Sequence, residues 1–151
     1  CPGVEWTWRV DALPDRADLA SRAAEDVAAS LSFVFGDPGS LTLPRPRPII
    51  RYVWATERDA AGSVVASPYF PDHLRSVVVR SGRAGLGAAV TERHDLLADY
   101  RAAFGEAPRA PVRLVVLFTD TDHGGGAAEA FYFDASALCA EAVEADGLPF
   151  I

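Results

Sequence analysis

Residues 112 to 134 read VRLVVLFTDTDHGGGAAEAFYFD, and no other stretch restricts the fold so tightly. An apolar run rich in β-branched residues stops at Asp120-Thr121-Asp122-His123 and three glycines, Gly124 to Gly126, before an aromatic run resumes. Runs of this length, bounded by a polar glycine loop, read as a buried strand, a loop and a second strand. The loop is also the best candidate for a site, because a rigid scaffold holds loop residues in place for function.

The rest of the chain agrees with a β-protein. Val4, Trp6, Trp8 and Val10 alternate with Glu5, Thr7 and Arg9, the two-residue period of a strand with one buried face. Leu31, Phe33 and Phe35 alternate with Ser30, Ser32 and Val34, and Gly36-Asp37-Pro38-Gly39 ends that strand. Further strands are expected at Ile49 to Ala55 and Leu74 to Ser81, with a short one at Ser63 to Ala66. The prolines of Pro44-Arg45-Pro46-Arg47-Pro48 lack amide donors and hold their predecessors extended, so this segment is an exposed connection. Asp11 to Asp26 is a connection with room for a short helix around Asp18 to Glu25, its Leu19 and Ala23 turned to the core. From Asp95 the period becomes helical, with Leu96, Leu97, Tyr100 and Phe104 on one face, Asp95 as N-cap and Gly105 as stop. Short strands, proline and glycine turns and one helix indicate an all-β, mainly antiparallel β-sandwich or jelly roll with one short amphipathic helix. Residues 1–151 are read as one such domain, with 135–151 a peripheral tail that is helical around Ala137 to Ala145.

The chain has 151 residues, half of them hydrophobic, enough for one buried core. Its 14 basic residues are all arginine and face 21 acidic ones; a net charge of −7 lacks the basic footprint of a nucleic-acid binder. The longest apolar run, Leu114 to Phe118, is far too short to span a bilayer. The two cysteines, Cys1 and Cys139, allow one disulfide at most and no zinc site. The sequence holds no methionine and opens at Cys1, so it is a processed chain or a piece of a longer one. Pro2, Gly3 and a strand at Val4 leave almost no tether for a lipidated Cys1, which favours the piece.

Several segments together carry a family likeness: Trp6-Thr7-Trp8-Arg9-Val10, Asp26-Val27-Ala28 leading to Phe33-Val34-Phe35, Tyr52-Val53-Trp54, and Ser67-Pro68-Tyr69. It continues through Val77 to Gly82, Leu86-Gly87, Glu92-Arg93-His94-Asp95-Leu96, Asp99-Tyr100, Ala103 to Glu106, and Thr119-Asp120-Thr121-Asp122. In these residues, over 4 to about 134, the chain resembles the bacterial domain-of-unknown-function family 3047. The resemblance implies a β-sandwich or jelly-roll domain of an exported bacterial protein, periplasmic or extracellular, with no established activity. It also implies further strands before the Trp6-Thr7-Trp8-Arg9 strand. Where the family pattern has an asparagine and one glycine after Asp-Thr-Asp, this chain has His123 and three glycines; where it has a tryptophan after Leu-Gly, this chain has Ala88 or Ala89.

Asp120 and Asp122 flank Thr121, so on an extended backbone their carboxylates point the same way, about 7 Å apart. They can ligate calcium or accept from sugar hydroxyls, or instead accept backbone amides and hold the glycine turn. An EF-hand is excluded, since Gly124 offers no ligand side chain and the twelfth position is Phe131. Trp6 and Trp8 belong to the core, whereas Trp54 ends a strand and Tyr69 lies in a Ser-Pro turn, which makes these two the aromatics expected at the surface. His123 beside Asp122 is either a solvated loop histidine or a general base. Arg9 and Arg51 are expected to pair with Asp26 in a structural network. The glycines from Gly82 to Gly87 lack dinucleotide-fingerprint spacing and form a turn.

The leading expectation is a non-catalytic, carbohydrate-binding-like or ligand-binding module with Trp54, Tyr69, Asp120, Asp122 and His123 at the surface, Asp120 and Asp122 able to hold calcium and a glycan as the ligand. The alternatives are an enzyme on a cell-envelope polysaccharide, with Asp120 and Asp122 or Glu129 as acid and base, and a purely structural or interaction domain.

Overall fold

The computed structural model describes residues 1–40, 42–123 and 125–139. The elements are β1 (Gly3–Ala12), β2 (Val27–Phe35), β3 (Ile49–Ala55), β4 (Val64–Ala66), β5 (Leu74–Ser81), β6 (Val90–Asp95), α1 (Leu96–Phe104), β7 (Val112–Asp120) and β8 (Glu129–Leu138). They form an all-β sandwich: a three-stranded sheet in the order β6-β1-β8 faces a five-stranded sheet in the order β4-β5-β3-β2-β7. All pairings are antiparallel except β3 with β5, which run parallel with β4 folded back beside β5. Among the described residues no helix is long and apolar enough to cross a membrane.

The alternation in β1 is realised as read. Val4, Trp6, Trp8 and Val10 are buried and meet Leu31, Phe33 and Phe35 of β2 and Ile50, Tyr52 and Trp54 of β3 in the core between the sheets. Trp6 stacks on Tyr52 at 4.9 Å and meets Trp8 edge-on at 5.5 Å, offset geometries that aromatic quadrupoles favour. The helix closes one end of this core through Leu96 and Tyr100, the latter 4.6 Å from the Phe35 ring. Asp95 caps it by accepting from the Ala98 amide, and Gly105 ends it at φ 76°, a left-handed position that suits glycine.

β2 is buried along its whole length, so one alternating face does not describe it. Its second face, with Val53, Val78 and Leu19, forms a smaller core beneath the connection from β1 to β2. That connection contains turns rather than the expected helix: between Asp18 and Glu25 only Leu19 is buried, so no helical apolar face is supplied. Leu19 does enter the core; Ala23 is exposed. The connection is pinned by the Leu19 amide donating to Asp59 at 3.1 Å and the Thr56 hydroxyl donating to the Ala17 carbonyl at 2.8 Å.

Two further differences from the sequence reading stand out. Val90–Asp95, where the sequence pattern marks no strand, is strand β6. Ala135–Leu138, assigned to the peripheral tail, continue β8 beside β1, where β8 ends against Gly3. Cys139 then joins Cys1 in a disulfide. The helix expected up to Ala145 otherwise falls outside the described residues.

Candidate functional site

The antiparallel pairing of β2 with β7 sets Val27 against Asp120, and this single register brings two distant acidic segments together. Asp26 stands just before β2; Asp120 ends β7, and Asp122 and His123 follow in the loop. One donor atom from each of these four residues lies within 4.8 Å of all the others, Asp26 being buried and Asp122 and His123 exposed. Asp120 and Asp122 were legible as a pair, but Asp26 was expected to meet an arginine. Successive side chains of an extended chain point to opposite faces, so Glu25 takes Arg51 instead, at 2.6 Å, and Asp26 faces the loop. Arg51 also donates to Ser76 at 2.9 Å, and Arg9 pairs locally with Asp11.

The loop is shaped by its own hydrogen bonds. The Asp122 amide donates to Asp120 at 3.3 Å and the His123 amide to Asp26 at 3.1 Å. Gly126 has φ +86°, and a side chain there would press on the Asp15 carboxylate at 2.8 Å. The glycines thus let the loop lie against the connection from β1 to β2, whose Asp15 amide donates to the Gly125 carbonyl at 3.3 Å.

His123 is oriented at both ring nitrogens. Nδ1 contacts Asp122 and lies 3.7 Å from Asp26, while Nε2 is 3.3 Å from the Tyr69 hydroxyl. That hydroxyl also donates to the Arg22 carbonyl at 2.6 Å.

Tyr69, at 39% exposure, lies at this site as expected for a surface aromatic. Trp54 does not. Its exposure is 0%, its indole donates to the Gly82 carbonyl at 2.9 Å, and Arg80 lies over its ring at 5.4 Å. The glycine bend after β5 folds across it, with Gly85 close enough that a Cβ would touch the ring at 3.6 Å. Trp54 is therefore core and offers no stacking face.

A family model described as a protein of unknown function (DUF3047) matches residues 1–136. The chain belongs to the DUF3047 family. No curated protein and no solved structure matches it. Within this DUF3047 chain a second polar group sits at the helix end of the core: Tyr52 donates to Asp99 at 2.7 Å and His94 Nδ1 lies 3.0 Å from the same oxygen. Burial drives the Tyr52 phenol far above its usual range, with Asp99 adding to the effect, so it stays a donor. Burial alone would raise Asp99, but the His94 and Tyr52 hydrogen bonds outweigh it and hold the carboxyl below the ordinary range. Nothing in the sequence spacing announced this trio.

Proposed function

We propose that this chain is a non-catalytic ligand-binding module whose site is the cation-holding group Asp26, Asp120, Asp122 and His123, with Tyr69 beside it. The observation that carries the reading is the convergence of one donor atom from each of Asp26, Asp120, Asp122 and His123 to within 4.8 Å of one another, a donor set that a divalent cation would satisfy. Three carboxylates alone suit calcium, whose ligands are oxygens. The imidazole nitrogen moves the preference toward zinc, manganese or another transition-series ion, leaving calcium the weaker candidate. Open positions on such a cation can accept neighbouring hydroxyls, which makes a glycan the ligand class of first choice, with Tyr69 as the adjoining ring.

The carboxylate arrangement favours binding over glycoside hydrolysis. A hydrolase needs two carboxyl groups facing one another across a cleft, whereas these converge on one point, and neither of the two described cavities is lined by them. The Cys1–Cys139 disulfide supports placement in an oxidising compartment, as for an exported bacterial protein.

The test is thermal unfolding with Zn²⁺, Mn²⁺ and Ca²⁺ in turn. A site-bound ion at 100 times its Kd adds about 2.7 kcal/mol of stability. Zn²⁺ or Mn²⁺ should raise the Tm more than Ca²⁺, the rise should vanish in Asp26→Asn and His123→Ala, and it should weaken with acidification as protons compete for the imidazole. No rise with any ion, with Asp26→Asn merely less stable, would mean that the aspartates only hold the loop.

A further inference from the structure

The two strands that end the sheets on one side of the sandwich, β7 and β8, carry exposed apolar side chains on both faces. These are Leu114, Val115, Leu117 and Phe118 on β7, and Phe131 and Phe133 on β8. Pairing with Phe33 and Leu31 turns Val115 and Leu117 toward the core, yet they remain 47% and 53% exposed. The facing edge is the cause: β8 presents alanines at 130, 135 and 137 on its core side, opposite Val10, Trp6 and Val4. A mainly apolar cavity of about 660 Å³ opens there, lined in part by Phe33, Phe35, Val115 and Ala137.

Free edges are normally guarded by lysine, proline or a central charge. In β7 the charged residues are Arg113 and Asp120, near its two ends, and the stretch between them contains neither a charge nor a proline. Its unpaired edge among the described residues is therefore a template for another strand.

We propose that the occupant is the β7 strand of a second copy, paired antiparallel about a two-fold axis at Val116. A two-fold axis normal to the sheet keeps each residue on its own face, so only registers that shift by two residues are open to it. Val116 is the midpoint of the nine-residue strand, so this register pairs it over its full length. It sets Leu114 against the partner's Phe118 and Val115 against the partner's Leu117, apolar on apolar on both faces. It also brings the Arg113 end of each strand to the Asp120 end of the other, so the ends are opposite in charge. One step either way sets Leu114 against the partner's Asp120, or Arg113 against the partner's Leu117. The four exposed apolar side chains of β7 present on the order of 300 Å² per copy toward the roughly 800 Å² per partner of a specific interface, and the paired backbone edges add to it.

Sedimentation equilibrium of the 151-residue chain tests this. A monomer–dimer equilibrium with a micromolar Kd is expected. In Leu114→Lys/Phe118→Lys the axis puts lysines directly opposite one another, and dimerisation should weaken at least tenfold with an unchanged circular dichroism spectrum. Leu114→Glu/Phe118→Lys exposes the same number of charges but sets glutamate against the partner's lysine, and should dimerise more tightly than the lysine pair. A wild-type chain that stays monomeric to about 100 µM overturns the proposal and leaves the edge to a different partner. So does a charge-swapped variant that dimerises no better than the lysine pair, since the register would then be wrong.

Discussion

The Tyr52, His94 and Asp99 trio gives a clean statement about single residues. Asp99 accepts from both neighbours while its carboxyl titrates below the ordinary range. A depressed folded value contributes stability that is present above the unfolded value and lost as pH falls through the folded one. Urea unfolding should therefore show an acid limb that is shallower in Asp99→Asn than in the parent. Tyr52→Phe removes the donor at 2.7 Å and should cost about 1–3 kcal/mol at neutral pH, less in acid where Asp99 is protonated. Legibility at this scale depended on what touches each side chain. Trp6 and Trp8 were readable as core because their own strand supplies the alternation. Trp54 was not, because the bend that buries it comes from residues after β5. Asp26 was recognisable as a carboxylate heading a core strand, but its partner His123 lies 97 positions away and is delivered only by the β2–β7 register.

Among the elements, α1 was legible at both ends because its capping residues are local. Asp95 accepts from the Ala98 amide, so Asp95→Ala should lower stability by about 1 kcal/mol, while Asp95→Ser should hold most of it; chemical denaturation of the three proteins checks this. The strand immediately before it was hidden. Val90–Asp95 has one aliphatic residue and three charges, and half of it faces solvent, so no apolar period marks it. It is a strand because β1 pairs with it from Gly3↔Asp95 to Trp8↔Val90 and because Glu92 takes both Arg80 and the Trp8 indole. β7 shows the opposite case: a strongly apolar segment identifies the strand, but the same apolar residues say nothing of whether a neighbour covers them. The glycine loop that follows is set by conformation as much as by charge. Gly126→Ala combines a strained φ with contact on Asp15 and should loosen the loop, seen as a weaker cation response than in the parent with the β-sheet spectrum intact.

For the molecule as a whole, short alternating segments punctuated by proline and glycine were enough to indicate an all-β sandwich, while the unequal three-and-five division of strands depended on pairings between distant segments that no local pattern encodes. The disulfide acts at that same scale. Cys1 and Cys139 are 138 positions apart, and their strands already pair where Gly3 meets Leu138, so the bond adds little that the folded sheet lacks. Its effect falls on the unfolded chain, whose largest loop it closes. On the chain-entropy account a bridge of this span is worth about 4–5 kcal/mol, with measured values for native disulfides more often 2–4. Cys1→Ser/Cys139→Ser should therefore keep the native circular dichroism spectrum, lower the urea midpoint, and become insensitive to a thiol reductant that lowers the midpoint of the parent. If the double variant instead lost β-structure without denaturant, the bond would be holding β8 against β1 in the folded state itself. The cavity beside Cys1 would then owe its shape to the covalent link and not to the packing of Phe33 and Phe35.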